Sequence, residues 1–209
     1  MYIVDKTYFI KKLSIPNTEE HNSEQAIQLE TSIDLYARQF LQVTLGNVLF
    51  SDLDSNVTDG ALEVGAPLKW LNLVNGCSYT LDGKDYTWKG LIYSEGLYKN
   101  SMLAHYVYVN QYNDTVNTML GQVGLQGKNS EVVNPTSHLV GIWNDFVKMY
   151  QGENCYFNKQ TIHRGVIFTD YFQETQESGY VSYLKFLTDN KEDYPTFSAG
   201  TLEFKNSLL

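Results

Sequence analysis

The chain has 209 residues, of which 43% are hydrophobic and 19% charged, with 16 Tyr and 10 Phe; that balance excludes a disordered chain and predicts a folded body. A formal net charge of -9 with no basic cluster excludes a grip on nucleic acid, which needs Lys and Arg to displace counterions from phosphates. No run of 18 apolar residues exists and the start lacks the order of a signal peptide, so the expectation is a protein made and kept in a cytosol, away from membranes.

A prior of roughly 150 residues per domain gives one helical domain over residues 1–152 and a C-terminal extension over 153–209, packed on it or on a neighbour. Cys77 and Cys155 are too few for a disulfide framework and are not spaced as a metal clip, so two free thiols are expected. The sequons at Asn56 and Asn113 then carry no glycan.

In chain order, residues 2 to 10 alternate loosely and end at Ile15-Pro16, which reads as a short extended arm or strand before a turn. Asn22 with Gln25 resembles a capping box, and Ile33, Ala37, Phe40, Leu41 and Thr44 repeat at helical spacing until Gly46 closes the longest helix. A further helical turn over Val48 to Leu53 leads into DLDSNVTDG, a loop by composition. Pro67 opens and Gly76 closes a second helix. From Tyr79 to Trp88, Asp82-Gly83 stands between aromatic and β-branched residues, the signal of a two-residue hairpin.

Met102, His105, Tyr106, Val109 and Tyr112 can form one face of a third helix, although the run Tyr106-Val107-Tyr108-Val109 also suits a strand; the reading is helix. Residues 121 to 135 are rich in Gly, Gln, Asn and Ser, without a period, and read as a long connection able to act as a contact arm. Leu139, Ile142, Trp143, Phe146, Val147 and Tyr150 make a clean apolar stripe with Gly152 beyond its end. Residues 153 to 209 are aromatic and irregular, with a strand near Val166 to Phe172, a short helix near Tyr180 to Leu187 and an extended tail from Thr196. The fold class is therefore mainly α (α+β): a bundle of four to five helices with a small β-hairpin and an irregular aromatic C-terminal segment.

Signatures of chemistry are sparse. His21, His105, His138 and His163 stand far apart, with no zinc-ligand spacing, and His105 reads as a satisfied, partly buried ring. Gly121, Gly124 and Gly127 are spaced wrongly for a dinucleotide or P-loop backbone and read as turns. Asp52, Asp54, Asn56 and Glu63 copy the oxygen-ligand positions of an EF-hand loop, but Val57 occupies the place where the sharp turn requires Gly. The reading is a solvated acidic loop over 52–63.

The order of elements points further. The long early helix closing in LGNVLFSDL, then WLNLVNGCSYTLDGKDYTWKGL, SMLAHYVYVNQY, the glycine-rich run into NPTSHLVGIWNDFVKMY, and the late FLTDNKEDYP and FKNSLL resemble a head-to-tail connector, or ring protein, of tailed bacteriophages of gut Bacteroidetes, the crAss-like phages included. The resemblance covers roughly residues 25 to 150, and residues 153 to 179 match nothing in it. It implies a structural virion protein at the head-tail junction, a homo-oligomeric ring (a dodecamer) with portal and other connector or tail proteins as neighbours, and double-stranded DNA passing without specific binding. It implies no enzyme activity and no catalytic, cofactor or metal residues. Candidate subunit contacts are Asp82, Gly83, Tyr86 and Trp88 on the hairpin and Gly121, Gly124 and Gly127 on the arm. The rival class is a carbohydrate-binding module or glycoside hydrolase-like accessory protein, which the many Tyr and Trp residues with acidic partners could serve.

Overall fold

The computed structural model describes residues 3–18, 23–122, 136–152, 155–157, 160–162, 179–198, 200 and 202–203, with the backbone alone at 115–122, 136, 155–157 and 160–162. The expected strand at Val166 to Phe172, the partner Asn22 of the capping box, and Gly124 and Gly127 lie outside these residues.

The first long helix, α1, spans Glu24–Asp54. Ser23 caps it, its Oγ accepting from the Ala26 amide at 3.1 Å, which satisfies one of the orphan donors of the first turn. Gly46, at φ 79 and ψ 162, breaks the helical path and joins two arms, so the expected stop and the expected further turn are both present as a kink. A kink strands carbonyls. Here the Ser198 amide donates to Thr44 O at 3.0 Å and Thr196 Oγ1 to Leu45 O at 3.3 Å, so the late chain repairs the early helix.

Leu29, Ile33, Ala37, Phe40, Leu41 and Leu45 make the buried stripe of α1. Phe40 is its hub: the rings of Tyr106, Phe146, Tyr183 and Tyr150 lie with centroids 5.1, 5.7, 5.8 and 5.9 Å away, in tilted or edge-on arrangements favoured by the ring quadrupole. Those rings come from three helices: α3 (Met102–Gln122), α4 (Thr136–Gln151) and α5 (Tyr183–Asp189). A fourth, α2 (Leu68–Asn75), starts after Pro67 and stops at Gly76 as its punctuation requires. The C-terminal α5 therefore shares one core with the earlier helices.

Four antiparallel strand pairs occur among the described residues. The acidic stretch expected as a loop instead finishes α1 and then pairs β1 (Val57–Thr58) with β2 (Ala61–Leu62) across Asp59-Gly60, both at positive φ. The expected hairpin is β3 (Cys77–Leu81) with β4 (Lys84–Trp88), turning at Asp82 (φ 52) and Gly83 (φ 73). β5 (Ile92–Glu95) pairs with β6 (Tyr98–Ser101), and β7 (Cys155–Phe157) with β8 (Gln160–Ile162). The protein is thus mainly α with a small β part.

Three expectations need correction. The N-terminal arm is not extended: residues Lys6–Tyr8 and Lys11–Leu13 form 3-10 turns, the first fixed by the Asp5 carboxylate accepting from the Thr7 amide at 2.7 Å. α3 does not end near Tyr112 but continues through Gly121 to Gln122, so Gly121 is helical and not part of a connection. The last helix starts at Tyr183, not Tyr180, because Ser182 caps it and Tyr180 and Val181 are held beside β4. Among the described residues no helix is long and apolar enough to cross a membrane.

Candidate functional site

The β3–β4 hairpin is the first candidate contact surface. Its tip, Asp82 and Gly83, is exposed, and a Cβ added to Gly83 would meet nothing within 4 Å. Its body is used inside the chain. Trp88 is 4% exposed, donates through Nε1 to Leu73 O at 2.9 Å, and stacks on Phe186 at 5.5 Å and 17°. Tyr86 is half-buried, with Tyr79 at 5.7 Å and the Lys185 ammonium 4.4 Å over its ring. The Thr87 amide donates to Gly179 O and the Val181 amide to Thr87 O, both at 3.0 Å, so a third segment lies along β4. An isolated hairpin is marginal in water, and this one gains its support from α5 of its own chain. Tyr86 and Trp88 are anchors of that packing, which leaves Asp82 and Gly83 as the outward part.

Among the described residues, the histidines, Cys77 and the acidic-loop carboxylates are tied into the fold. His105 is buried, its Nδ1–H donating to Ser101 O at 2.8 Å, and burial holds the imidazole down at about 4, neutral near pH 7. His138 meets Lys12 O through Nε2 at 2.9 Å. Cys77 is half-buried and burial pushes its thiol up, away from a reactive thiolate. Among the described residues no three His, Cys, Asp or Glu side chains gather as for a metal ion. The carboxylates at the calcium-like spacing point to separate partners: Asp52 to Lys69 Nζ (2.7 Å) and Trp70 Nε1 (3.2 Å), Asp54 to Arg38 (3.2 Å), Glu63 to Thr58 (2.6 Å).

A groove of about 270 Å³ runs between the first 3-10 turn, β1–β2, the end of α2 and β5–β6, lined by Ile3, Leu62, Val74 and Ile92, with Asp5 and Lys99 at its rim. Both charged groups are engaged: Asp5 accepts from the Thr7 amide, and Lys99 donates to Thr7 Oγ1 while lying 5.1 Å over the Tyr8 ring. Part of the tyrosine excess has this use. Lys89 lies between Tyr93 (4.9 Å) and Tyr180 (4.2 Å), and Lys11 lies over Tyr98 (4.7 Å), so lysine heads rest on ring faces.

Sequence reasoning missed a second surface, on α4. Late residues lie on it, held by side chains: Tyr150 Oη donates to Gly200 O at 2.9 Å, and Trp143 Nε1 to Glu203 O at 3.0 Å. Gln151 makes a bidentate pair with Leu202, donating to its carbonyl at 2.8 Å and accepting from its amide at 2.6 Å. Burial pushes the Tyr150 hydroxyl up to about 12, so it stays a donor at all ordinary pH. Trp143 read from the stripe as core; it is instead half-buried, its indole N–H spent on this strap. Nothing local in sequence marks such a site, because the groups it binds are backbone.

Comparison with protein-family models, with curated proteins and with solved structures finds no match.

Proposed function

We propose that the chain is a structural virion protein, a head-to-tail connector that assembles as a closed homo-oligomeric ring between portal and tail and lets double-stranded DNA pass. The reading starts from the resemblance of its ordered segments to phage ring proteins. The observation that carries it is the placement of large apolar side chains on the outside, while among the described residues His105, His138, Asp52, Asp54 and Glu63 are engaged within the fold. Ile27, Leu35, Val43 and Val48 stand out along α1 at 55 to 73% exposure, Val64 and Leu97 stand out on turns at 98% each, and Leu68 stands out at the first position of α2 at 70%. Large apolar side chains left in water at these positions are available for burial at subunit contacts. A closed ring needs two different faces of each subunit to meet, and the outer side of α1 and the turns near β2 and β6 supply different faces.

The charge agrees with a channel role. At -9 per chain, with lysines resting on tyrosine faces, an assembled ring presents a field that repels phosphate at short range and so does not hold DNA fast. The test is light scattering with electron microscopy of the purified chain, alone and mixed with its portal protein. Closed rings of a single copy number are expected. A monomer at every concentration, with no ring on the portal, overturns the reading.

A further inference from the structure

We propose that the groove beside the first 3-10 turn is a small-molecule site, and that it takes a free α-amino acid with a branched or aromatic side chain. The floor supplies the apolar half. Ile3, Leu62, Val74 and Ile92 come from four separate stretches of the chain and leave about 270 Å³ between them. Ile3 and Val74 belong to the main core, and Leu62 and Ile92 pack against it, so the floor is fixed before any ligand arrives. A cavity of ~150 Å³ lined by aliphatic side chains is enough to hold benzene. The groove therefore has room for a side chain the size of leucine's or phenylalanine's, with the α-carbon left at the mouth.

The mouth supplies one charge of each sign. Asp5 is exposed, Lys99 is half-buried, and both line the groove. They meet only through Thr7, whose hydroxyl donates to Asp5 Oδ1 and accepts from the Lys99 ammonium. Two hydrogen bonds on one oxygen hold the carboxylate and the ammonium about 4 to 5 Å apart. Among the described residues neither makes an ion pair, with the other or with a third group. Both keep capacity to spare. The bonds that cap the turn fall on Asp5 Oδ1, which leaves Oδ2, and Thr7 takes one of the three ammonium donors of Lys99. The Tyr8 ring, 7% exposed and 5.1 Å from that ammonium, limits the positions open to the lysine head.

An acid and a base held apart on one hydroxyl, over an apolar hollow, are complementary to an ammonium and a carboxylate carried on one carbon. The ligand ammonium meets Asp5 Oδ2, its carboxylate meets Lys99 Nζ, and its side chain fills the floor. A residue inside a peptide carries neither charge and a chain terminus carries one, so the free amino acid is the ligand that uses both groups. The site lies within one chain and stands apart from the connector reading.

The test is calorimetry on the full chain with L-leucine and L-phenylalanine as probes, set against isocaproate, which lacks the ammonium, and leucinamide and isoamylamine, which lack the carboxylate. Leucine or phenylalanine is expected to bind saturably, and each analogue at least tenfold more weakly than leucine. The analogues act on the unaltered chain, so this comparison does not depend on a variant folding. Asp5→Asn keeps an oxygen for the Thr7 amide and with it the cap, and Lys99→Gln removes the other charge; each is expected to weaken leucine binding at least tenfold. No saturable binding of either amino acid up to about 10 mM overturns the site. Leucinamide, isoamylamine or isocaproate binding as tightly as leucine, or leucine binding indifferent to both substitutions, overturns it as well.

Discussion

Gly76 and Gly90 sit back to back where α2 meets the β4–β5 junction, and they give the sharpest test of the packing. A Cβ on Gly76 would lie 2.4 Å from Trp88 O and 2.6 Å from Lys89 C, and one on Gly90 would lie 2.5 Å from Val74 O. Both residues are also at positive φ, +89 and +93. Gly76→Ala therefore meets two penalties: about 1 to 2 kcal/mol for an L-residue at φ 89 and ψ 163, a region essentially reserved to glycine, and the forced separation of two backbones. That separation strains two bonds to one carbonyl, Leu91 N–H to Leu73 O at 3.1 Å and Trp88 Nε1–H to the same oxygen at 2.9 Å. At about 1 kcal/mol for each bond the total is about 3 to 4 kcal/mol. For a chain of this size 1 kcal/mol shifts Tm by about 2 to 4 °C, so a fall of about 10 °C is expected. Gly83→Ala is the control, since Gly83 is at φ +73 but faces open space. Strain alone, about 1 kcal/mol, should lower Tm by about 3 °C. Thermal melting by circular dichroism measures both. Equal shifts would show that the contact between α2 and the hairpin base does not carry the stability assigned to it.

His105 sets a pH dependence: its folded value of about 4 lies below the unfolded 6.5, so the unfolded state binds the proton first and stability falls as pH drops from 6.5 to 4. The loss is about 3 kcal/mol at 1.36 kcal/mol per unit, and His105→Asn should flatten that part of the stability curve; unchanged slopes would refute it. Trp88→Ala should cost about 3 to 5 kcal/mol, as for a buried aromatic, and Trp143→Ala clearly less because its ring is half-buried; denaturant melts giving equal costs would reverse the assignment of core and strap. Hydrogen exchange in the isolated chain should show the Thr87 and Val181 amides protected and Asp82 and Gly83 fast, and fast exchange at Thr87 would mean that the hairpin does not rest on its own C-terminal segment. Calorimetry with calcium should show no micromolar binding, since Lys69, Arg38 and Thr58 already engage Asp52, Asp54 and Glu63; binding lost in Glu63→Gln would contradict those pairings.

The elements legible in sequence were those whose punctuation and period agree. Pro67 and Gly76 bound α2, Gly152 follows α4, and Asp82-Gly83 turns β3 into β4, each because a backbone conformation there suits few residue types. Asp59-Gly60 carries the same turn signal as Asp82-Gly83, but it lies in a polar stretch whose composition reads as loop, so the β1–β2 pair went unread. Gly46 reads as a stop because sequence does not reveal that a tail 150 residues later offers donors to the stranded carbonyls. α3 runs on through polar Asn113 and Asp114, where no apolar stripe marks it. The hairpin contacts were half legible: the turn was visible, whereas the inward use of Tyr86 and Trp88 depends on α5, which is distant in sequence. The strap on α4 was not legible at all, since Gln151 recognises a main-chain amide and carbonyl that every residue but proline owns.

Electron cryomicroscopy of tailed particles that contain this chain tests the connector assignment most directly. The account predicts a closed ring of copies at the head-tail junction, encircling the DNA path, with Asp82-Gly83 and the α1 exterior at subunit or portal contacts. Density for the chain elsewhere in the particle, or single copies there that contact no other copy, would contradict it.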